Sequence, residues 1–320
     1  MDAENGLPDT LLEAIQFFSD PDVALDFVVK LHWPDGAIRC PKCQAPEPSF
    51  LKTRRIWKCR ACKKQFSAKV GTIFEDSPIP LEKWLPALWL VINCKNGISS
   101  YEVARALGVS QKTAWFMTHR IRLAVQSGSF GKISGEVEVD ETYIGGKARF
   151  MHKGKRALKI TGTGGMGKVA VMGLLERHGE DGHSTIKVAK VVPNVRRKTL
   201  APEVREHVEE GSEVFTDSLK SYSDLGAEYV HGVIDHAEKY VEGKIHTNGM
   251  ENFWSLLKRA IKGTYVSVEP FHLFRYLDEQ SFRFNSRQLS DGLRFLKAAR
   301  GIIGKRLTYS ELTGAEVSAT

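Results

Sequence analysis

Three stretches of the chain carry acids at spacings that could do chemistry. GEVEVDETYIGGK, Gly135 to Lys147, alternates as a strand does, with Val137 and Val139 on one face and Glu136, Glu138 and Asp140 on the other. SEVFTDSLKSY, from Ser212, reads as a short strand ending at Asp217, with a helix expected after it. HTNGMENFWSLLKRAIKG, from His246, reads as an amphipathic helix. Asn248, Glu251, Ser255, Lys258 and Lys262 fall on its polar stripe, and Phe253, Leu256, Leu257 and Ile261 on its apolar one.

Each acid alone has an ordinary explanation: an Asp at a strand end is often a turn former, and a Glu on a helix is usually solvated. Together they outline a site. Two carboxylates from strand ends and one from a helix can hold a pair of divalent ions about 3.5–4 Å apart, which activate a water or 3′-hydroxyl and stabilise the leaving oxygen at a phosphodiester. Oxygen ligands of this kind suit magnesium or manganese better than zinc. Lys258 follows Glu251 by two helical turns on the same face and could hold a phosphate of the substrate strand.

A second metal reading comes from cysteine. CPKC at Cys40 and Cys43 is followed by CRAC at Cys59 and Cys62, a pair of knuckles whose four thiolates satisfy tetrahedral zinc. Redox-active pairs are the competing reading. Around them lie Lys42, Lys52, Arg54, Arg55, Lys58, Arg60, Lys63 and Lys64, with Trp57 and Phe66 interleaved, a surface suited to nucleic acid. Cys94 sits in an apolar run and reads as core.

ISSYEVARALGVSQKTAWFMTHRIRLAV, Ile98 to Val125, fits a helix-turn-helix. Ser99 or Ser100 caps the first helix, Gly108 makes the turn and Ser110 caps the second helix. Gln111, Lys112 and Thr113 then open a recognition helix that would meet base edges in double-stranded DNA. Small three-helix bundles use the same grammar without DNA.

The elements that must position these residues fall into segments: a helical N-terminus (1–37), the cysteine-rich module (38–76), a helical block (77–128), an alternating α/β region (129–308) and a short tail (309–320) whose last residues, TGAEVSAT, are expected to be disordered. The chain of 320 residues is 42% apolar and 26% charged, as a soluble globular protein would be. It has no apolar run long enough to span a membrane, and the longest candidate, Trp84 to Cys94, reads as a buried helix. The acidic N-terminus lacks a signal-peptide pattern, so a cytoplasmic location is expected. Net charge is +8, and it is unevenly spread: Thr142 to Leu175 holds seven Lys or Arg and no acid, among them Lys153, Lys155 and Arg156. Lys258 to Arg306 is also basic. Several such patches favour a polyanionic partner.

GTGGMGKVAV, Gly162 to Val171, resembles the opening of a phosphate-cradling loop. Val169 stands where such a loop needs Ser or Thr, and the residues after it read as a strand rather than a helix. No ATP binding is expected. The better reading is a basic loop, Lys147 to Lys168, that joins the Asp140 strand to the next and meets DNA phosphates.

HWPDGAIRCPKC, VEVDETYIGGK, VFTDSLKSY, HTNGMENFWSLLKRAIKGTY and FRFNSR together resemble the motifs of DDE-type insertion-sequence transposases with an N-terminal zinc ribbon, the ISXO-like group. The resemblance covers nearly the whole chain. It implies an α/β catalytic core of the ribonuclease-H-like fold, a mixed sheet flanked by helices. Asp140, Asp217 and Glu251 would be its magnesium or manganese ligands, with Lys258 beside them. The intervals of 34 residues from Asp217 to Glu251 and 7 from Glu251 to Lys258 are typical of such enzymes. Asn248 is the alternate third ligand, since relatives place an Asn where the acid belongs. Glu138 and Glu141 are lesser alternates to Asp140, and His246 and Trp254 fall near the site or serve packing.

The implied activity is binding of terminal inverted repeats, metal-dependent 3′-end cleavage and strand transfer into target DNA, by a homodimer or larger assembly. The alternatives are a DNA-binding regulator with a non-catalytic α/β domain and a metal-dependent structure-specific nuclease.

Overall fold

The computed structural model describes residues 7–126, 131–146, 152–160, 167–179, 182–217, 220–234 and 246–314. The chain forms two compact units, Met1–Gln126 with Ser286–Thr320, and Ser127–Asn285. The α/β region read from sequence as 129–308 therefore closes at Asn285. The segment beyond it folds back on the first unit because Phe295 joins an aromatic cluster with Phe18, Phe27 and Trp89.

The first unit begins with α1 (Leu11–Phe18) and α2 (Pro21–His32), separated at Asp20, which caps α2 while Pro21 opens it. A three-stranded antiparallel sheet follows, β1 (Ser49–Leu51), β2 (Ile56–Lys58) and β3 (Gln65–Phe66). Trp33, just past α2, packs on Trp57 and Phe66, so α2 belongs with the cysteine-rich sheet as one module. The helical block supplies α3 (Leu81–Asn93), α4 (Ser100–Leu107) and α5 (Gln111–Ala124). Ser99 and Glu102 form a reciprocal cap on α4, Gly108 turns at φ +59°, and Ser110 caps α5. Val103, Ala104 and Ala114 fill the corner between α4 and α5.

In the second unit, β4 (Glu136–Ile144), α6 (Lys153–Lys159), β5 (Val169–Glu176), β6 (Thr185–Val192), α7 (Arg197–His207), β7 (Glu213–Asp217), β8 (Val230–Ile234), α8 (Asn248–Ala260) and α9 (Leu273–Asn285) follow in order. The strands make one mixed sheet, β6-β5-β4-β7-β8: β4, β5 and β6 are antiparallel, while β4, β7 and β8 are parallel. One face, with Val137, Val139, Met172 and Leu174, packs on Leu200 and Val204 of α7. The other, with Val171 and Leu175, packs on Phe253, Trp254 and Leu257 of α8 and Leu277 of α9. Period-2 alternation along β4 and β5 thus assigns each helix its side.

After Lys168 the chain is strand β5, not a helix, as its β-branched residues imply; residues 161–166 of the glycine loop lie outside the described residues. After Asp217 the expected helix is replaced by 3₁₀ turns at Lys220–Tyr222 and Leu225–Ala227. Their buried anchors, Tyr222 and Leu225, stand three residues apart, the period of that tighter helix. The tail begins with α11 (Tyr309–Thr313), which follows α10 (Asp291–Arg300) and is closed by Gly314; residues 315–320 lie outside the described residues. No helix among the described residues is long and apolar enough to cross a membrane.

Candidate functional site

Asp140 lies in the middle of β4 rather than at its end. The parallel ladder pairs Glu136 with Glu213, Val137 with Val214 and Glu138 with Phe215. The ladder stops there, two residues short of Asp140 on β4 and of Asp217, the last residue of β7, and the Asp217 charge acts on Asp140. Opposite Asp140 on its other flank is Gly173 of β5. A Cβ there would fall 2.2 Å from Met250 Cε and 2.8 Å from Trp254 Cζ2, so this glycine is what lets α8 lie close on the sheet. The approach brings Trp254 Nε1 to 3.0 Å from Asp140 Oδ2, which accepts its hydrogen bond. The backbone N–H of Glu141 donates to the other oxygen at 2.8 Å.

Burial above all, then the negative charge of Asp217 and, more weakly, of Glu251, push the Asp140 carboxyl up to about 7, against the two donors. Glu141, on the opposite face, is pushed up to about 8, by burial first and by Asp217 and Asp140 after it. Tyr222 Oη donates to its carboxylate at 2.7 Å. Asp217 therefore acts on two carboxyls at once.

Glu251 is exposed on the first turn of α8, with Asn248 one turn earlier at its first residue. Lys258, half-buried on the same stripe, is lowered by desolvation and raised by Asp140, with Lys262 and Lys168 lowering it further. Lys168, at the end of the basic loop read from the sequence, thus joins Lys258 and Lys262 beside the acids. Past Ala260 the helix widens to a π turn, Ile261–Tyr265, that carries Lys262 exposed on its surface.

Glu138 is 1% exposed and faces the N-terminus of α8: its Oε2 accepts the Met250 N–H at 2.9 Å. Its Oε1 accepts Arg177 Nε at 2.8 Å. Breaking a buried pair of this kind costs about 3–5 kcal/mol, so Glu138 is committed to holding α8. Nothing local in the sequence marks Arg177, which follows β5 directly. Its partners Glu138, Glu136 and His246 lie 39, 41 and 69 residues away.

The oxygens of Asp140, Asp217 and Glu251 are not gathered within 4.8 Å of one another, the closeness that ligands of a single ion need; among the described residues that spacing is met by the four cysteines and by Glu203, Glu206 and His207 on α7. A pair of ions spreads its ligands over a wider span. An all-carboxylate donor set, with Asp140 loaded by two neighbouring charges, fits hard divalent ions on that basis.

In the cysteine module the two knuckles match. Cys40 N–H donates to Ala45 O and Cys59 N–H to Lys64 O, and Gln44 and Lys63 each take a positive φ. Cys40 and Cys62 Sγ are 3.7 Å apart, Cys43 and Cys59 Sγ 3.5 Å. Tetrahedral zinc with Zn–S near 2.3 Å sets its sulfurs about 3.8 Å apart, so the four cysteines fit structural zinc. The Cys62 N–H, 3.4 Å from Cys59 Sγ, leads in lowering that thiol to about 6, which favours the thiolate that zinc binds.

The residues read as DNA contacts have varied surroundings. Gln111 donates to Ser100 Oγ at 2.9 Å, tying α5 to α4. Lys112 is exposed, with its ammonium 4.8 Å from the Tyr309 ring centre, and the Thr113 N–H is capped by Ser110. Arg54 donates to Gln65, Arg60 to Ser49, and Arg55 pairs with Asp22 at 2.6 Å. Lys153 and Arg156 are exposed on α6; the Lys155 side chain lies outside the described residues.

These features agree with what the chain is similar to. An ISXO2-like transposase domain matches residues 132–285, ending where the second unit ends, and a transposase zinc-ribbon domain matches residues 19–65, which include α2. An uncharacterized transposase-like protein of Haemophilus influenzae is 36% identical over 108 residues, 33% of this chain and 87% of the relative. An uncharacterized protein in transposable element ISH50 of Halobacterium salinarum is 26% identical over 257 residues, 77% of this chain and 84% of the relative. The chain belongs to the ISXO2-like transposase family and carries its zinc ribbon.

Proposed function

We propose that this chain is a DNA transposase that binds the terminal inverted repeats of an insertion sequence, cleaves the 3′ ends and transfers them into target DNA. The observation that carries the reading is the coupling of Asp140 to both Asp217 and Glu251, with Lys258 beside it. The mixed sheet with helices on both faces supports a ribonuclease-H-like core.

Asp140, Asp217 and Glu251 would hold a pair of magnesium or manganese ions, with Asn248, on the same stripe as Glu251, the alternate third ligand. Bound there, the ions supply Lewis acidity at the phosphodiester and activate the attacking hydroxyl. Trp254 and the Glu141 N–H orient the Asp140 carboxylate. Lys258, Lys262 and Lys168 neutralise and position phosphates of the bound strand.

End recognition rests on α4 and α5 as a helix-turn-helix, with the exposed first turn of α5 carrying Lys112 and Thr113 to the major groove, and on the ribbon cations Arg54 and Arg60 at phosphates. Arg55, held by Asp22, and Gln111, held by Ser100, serve there chiefly by fixing the surface that the others use. Lys153, Lys155 and Arg156 extend the backbone contacts from α6. Pairing two DNA ends takes two active sites, so the working form is a dimer or larger, acting on chromosomal DNA in the cytoplasm.

The test is cleavage and joining with magnesium on a duplex carrying the sequences that flank the reading frame. Wild type should nick at the repeat boundary and give joined products. Asp217→Asn should bind the ends and do neither; strand transfer retained by that variant would remove Asp217 from the site. Tight, salt-sensitive binding without cleavage by wild type in magnesium or manganese would favour a DNA-binding regulator.

A further inference from the structure

The guanidinium of Arg177 touches two of the three elements that carry the acids, and the residue that leads into the third. It reaches β4 through Nε to Glu138 at 2.8 Å and Nη1 to Glu136 at 3.2 Å. It lies over the Phe215 ring of β7, 4.1 Å from its centre. Toward α8 its Nη2 donates to the carbonyl of His246, two residues before the helix, and lies 2.9 Å from the Nδ1 of that ring. It also reaches α8 indirectly, since the Glu138 carboxylate that it holds accepts the Met250 N–H at 2.9 Å. A side chain at Gly249 would stand 2.9 Å from that same carboxylate oxygen.

The sequence positions of these contacts matter more than their number. Glu138 precedes Asp140 by two residues on β4 and points to the same face, and Phe215 precedes Asp217 by two on β7. Met250 is the residue before Glu251. One buried planar group, its side chain 9% exposed, thus sets the spacing of the three strands of chain that bear Asp140, Asp217 and Glu251. Arg177 bonds to Glu138, two residues from Asp140, and lies on Phe215, two residues from Asp217, so a change in its contacts would be felt at both carboxylates.

We infer that Arg177 is a positioning residue for the divalent-ion site: through Glu138, Phe215 and His246 it holds β4, β7 and α8 at the separation the ions need. The inference rests on the reading of Asp140, Asp217 and Glu251 as ligands. Arginine is required because its fork makes several bonds in one plane; lysine keeps the charge and loses the fork.

The experiment is direct binding of Mn²⁺ to the purified full chain, followed by electron paramagnetic resonance of the free ion, without DNA and without reference to activity. Wild type, Arg177→Lys, His246→Ala and Asp217→Asn are compared after circular dichroism and a thermal melt have established that each is folded. Arg177→Lys should weaken Mn²⁺ binding about tenfold. His246→Ala, which removes the imidazole contact, leaves the bond to that residue's carbonyl and burdens the fold less, should weaken it about threefold. Asp217→Asn should abolish it. Wild-type Mn²⁺ affinity in folded Arg177→Lys, or in His246→Ala if the lysine variant fails to fold, overturns the inference while a null result for Asp217→Asn leaves the ligand reading standing. Full Mn²⁺ binding by Asp217→Asn overturns the ligand reading and the inference with it.

Discussion

Trp254 donates its indole N–H to Asp140 at 3.0 Å across the one point where β5 has no side chain, Gly173. A hydrogen bond to an ionised acceptor is worth about 1.5–3 kcal/mol, so this bond favours the charged form of Asp140 that a metal would need. Trp254→Phe keeps a ring over the glycine and removes the donor. The magnesium needed for half-maximal cleavage at neutral pH should rise severalfold, with little change in thermal stability. A magnesium titration of both proteins checks this, and an unchanged midpoint would mean that the bond serves packing alone.

Gly173→Ala tests the same contact from the strand side. The added methyl collides with Met250 and Trp254, both buried, and neither can swing into solvent. Overpacking of this kind costs about 1–3 kcal/mol. The variant should melt earlier and lose cleavage, because relief requires α8 to lift and Glu251 to move with it. Met250→Ala in the same chain should recover part of the stability, the Trp254 contact remaining. Failure of the second change to raise the melting temperature would place the strain elsewhere.

What could be read without the structure was local. The cysteine knuckles, the alternation of β4 and the polar stripe of α8 each declare themselves within about a dozen residues, because ligand spacing and strand or helix period are short-range rules. Arg177 could not be read, since its meaning lies in Glu136, Glu138, Phe215 and His246, brought together by the sheet. Gln111 stood where a base-reading residue belongs, and only the packing of α4 on α5 gives its amide to Ser100. The close of the α/β unit at Asn285 was equally hidden, because the basic pattern of Lys258 to Arg306 runs through it without a break.

Carboxylates crowded for metal binding should cost stability when no metal is present. Burial and the charges of Asp217 and Glu251 push the Asp140 carboxyl up to about 7 in the folded chain, from an ordinary value of 3.8. Between those values the folded state binds more protons than the unfolded one, so Asp140 contributes a loss of stability as pH rises from about 4 to 7. Asp140→Asn removes that titration. In buffer free of magnesium, its melting temperature should exceed that of wild type at pH 8, and the gap should narrow at pH 5. Equal melting temperatures at pH 8 would show that the folded chain accommodates this charge without cost. Magnesium should shrink the gap at pH 8 by stabilising wild type alone.

Cys59→Ser breaks the zinc tetrahedron at the thiol whose charged form is already favoured. Metal analysis should find about one zinc per chain in wild type and none in the variant. Trp57 and Phe66, packed on Trp33, should lose their shielding as the module loosens, giving a red-shifted tryptophan emission. Binding to terminal-repeat DNA should weaken more than tenfold, while Mn²⁺ binding at the acidic site remains. Undiminished DNA affinity in a zinc-free variant would assign the ribbon to another partner.

Lys112 separates positioning from reading at the start of α5. Its ammonium is exposed, yet it rests 4.8 Å from the Tyr309 ring centre, so the side chain leans along the surface toward α11 instead of pointing freely from the helix tip. That posture suits a phosphate at the groove edge better than a base within it. Each phosphate neutralised on duplex DNA contributes about 0.9 to the slope of log affinity against log salt. Lys112→Ala should therefore flatten the slope for terminal-repeat DNA by about one, and weaken repeat and scrambled duplexes alike. An unchanged slope with lost preference for the repeat would instead put Lys112 against a base edge, where a good contact is worth about 1–3 kcal/mol of discrimination. Tyr309→Ala provides the complement: without the ring the lysine gains freedom but loses its bearing, and repeat and scrambled duplexes should again weaken together, by less than in Lys112→Ala.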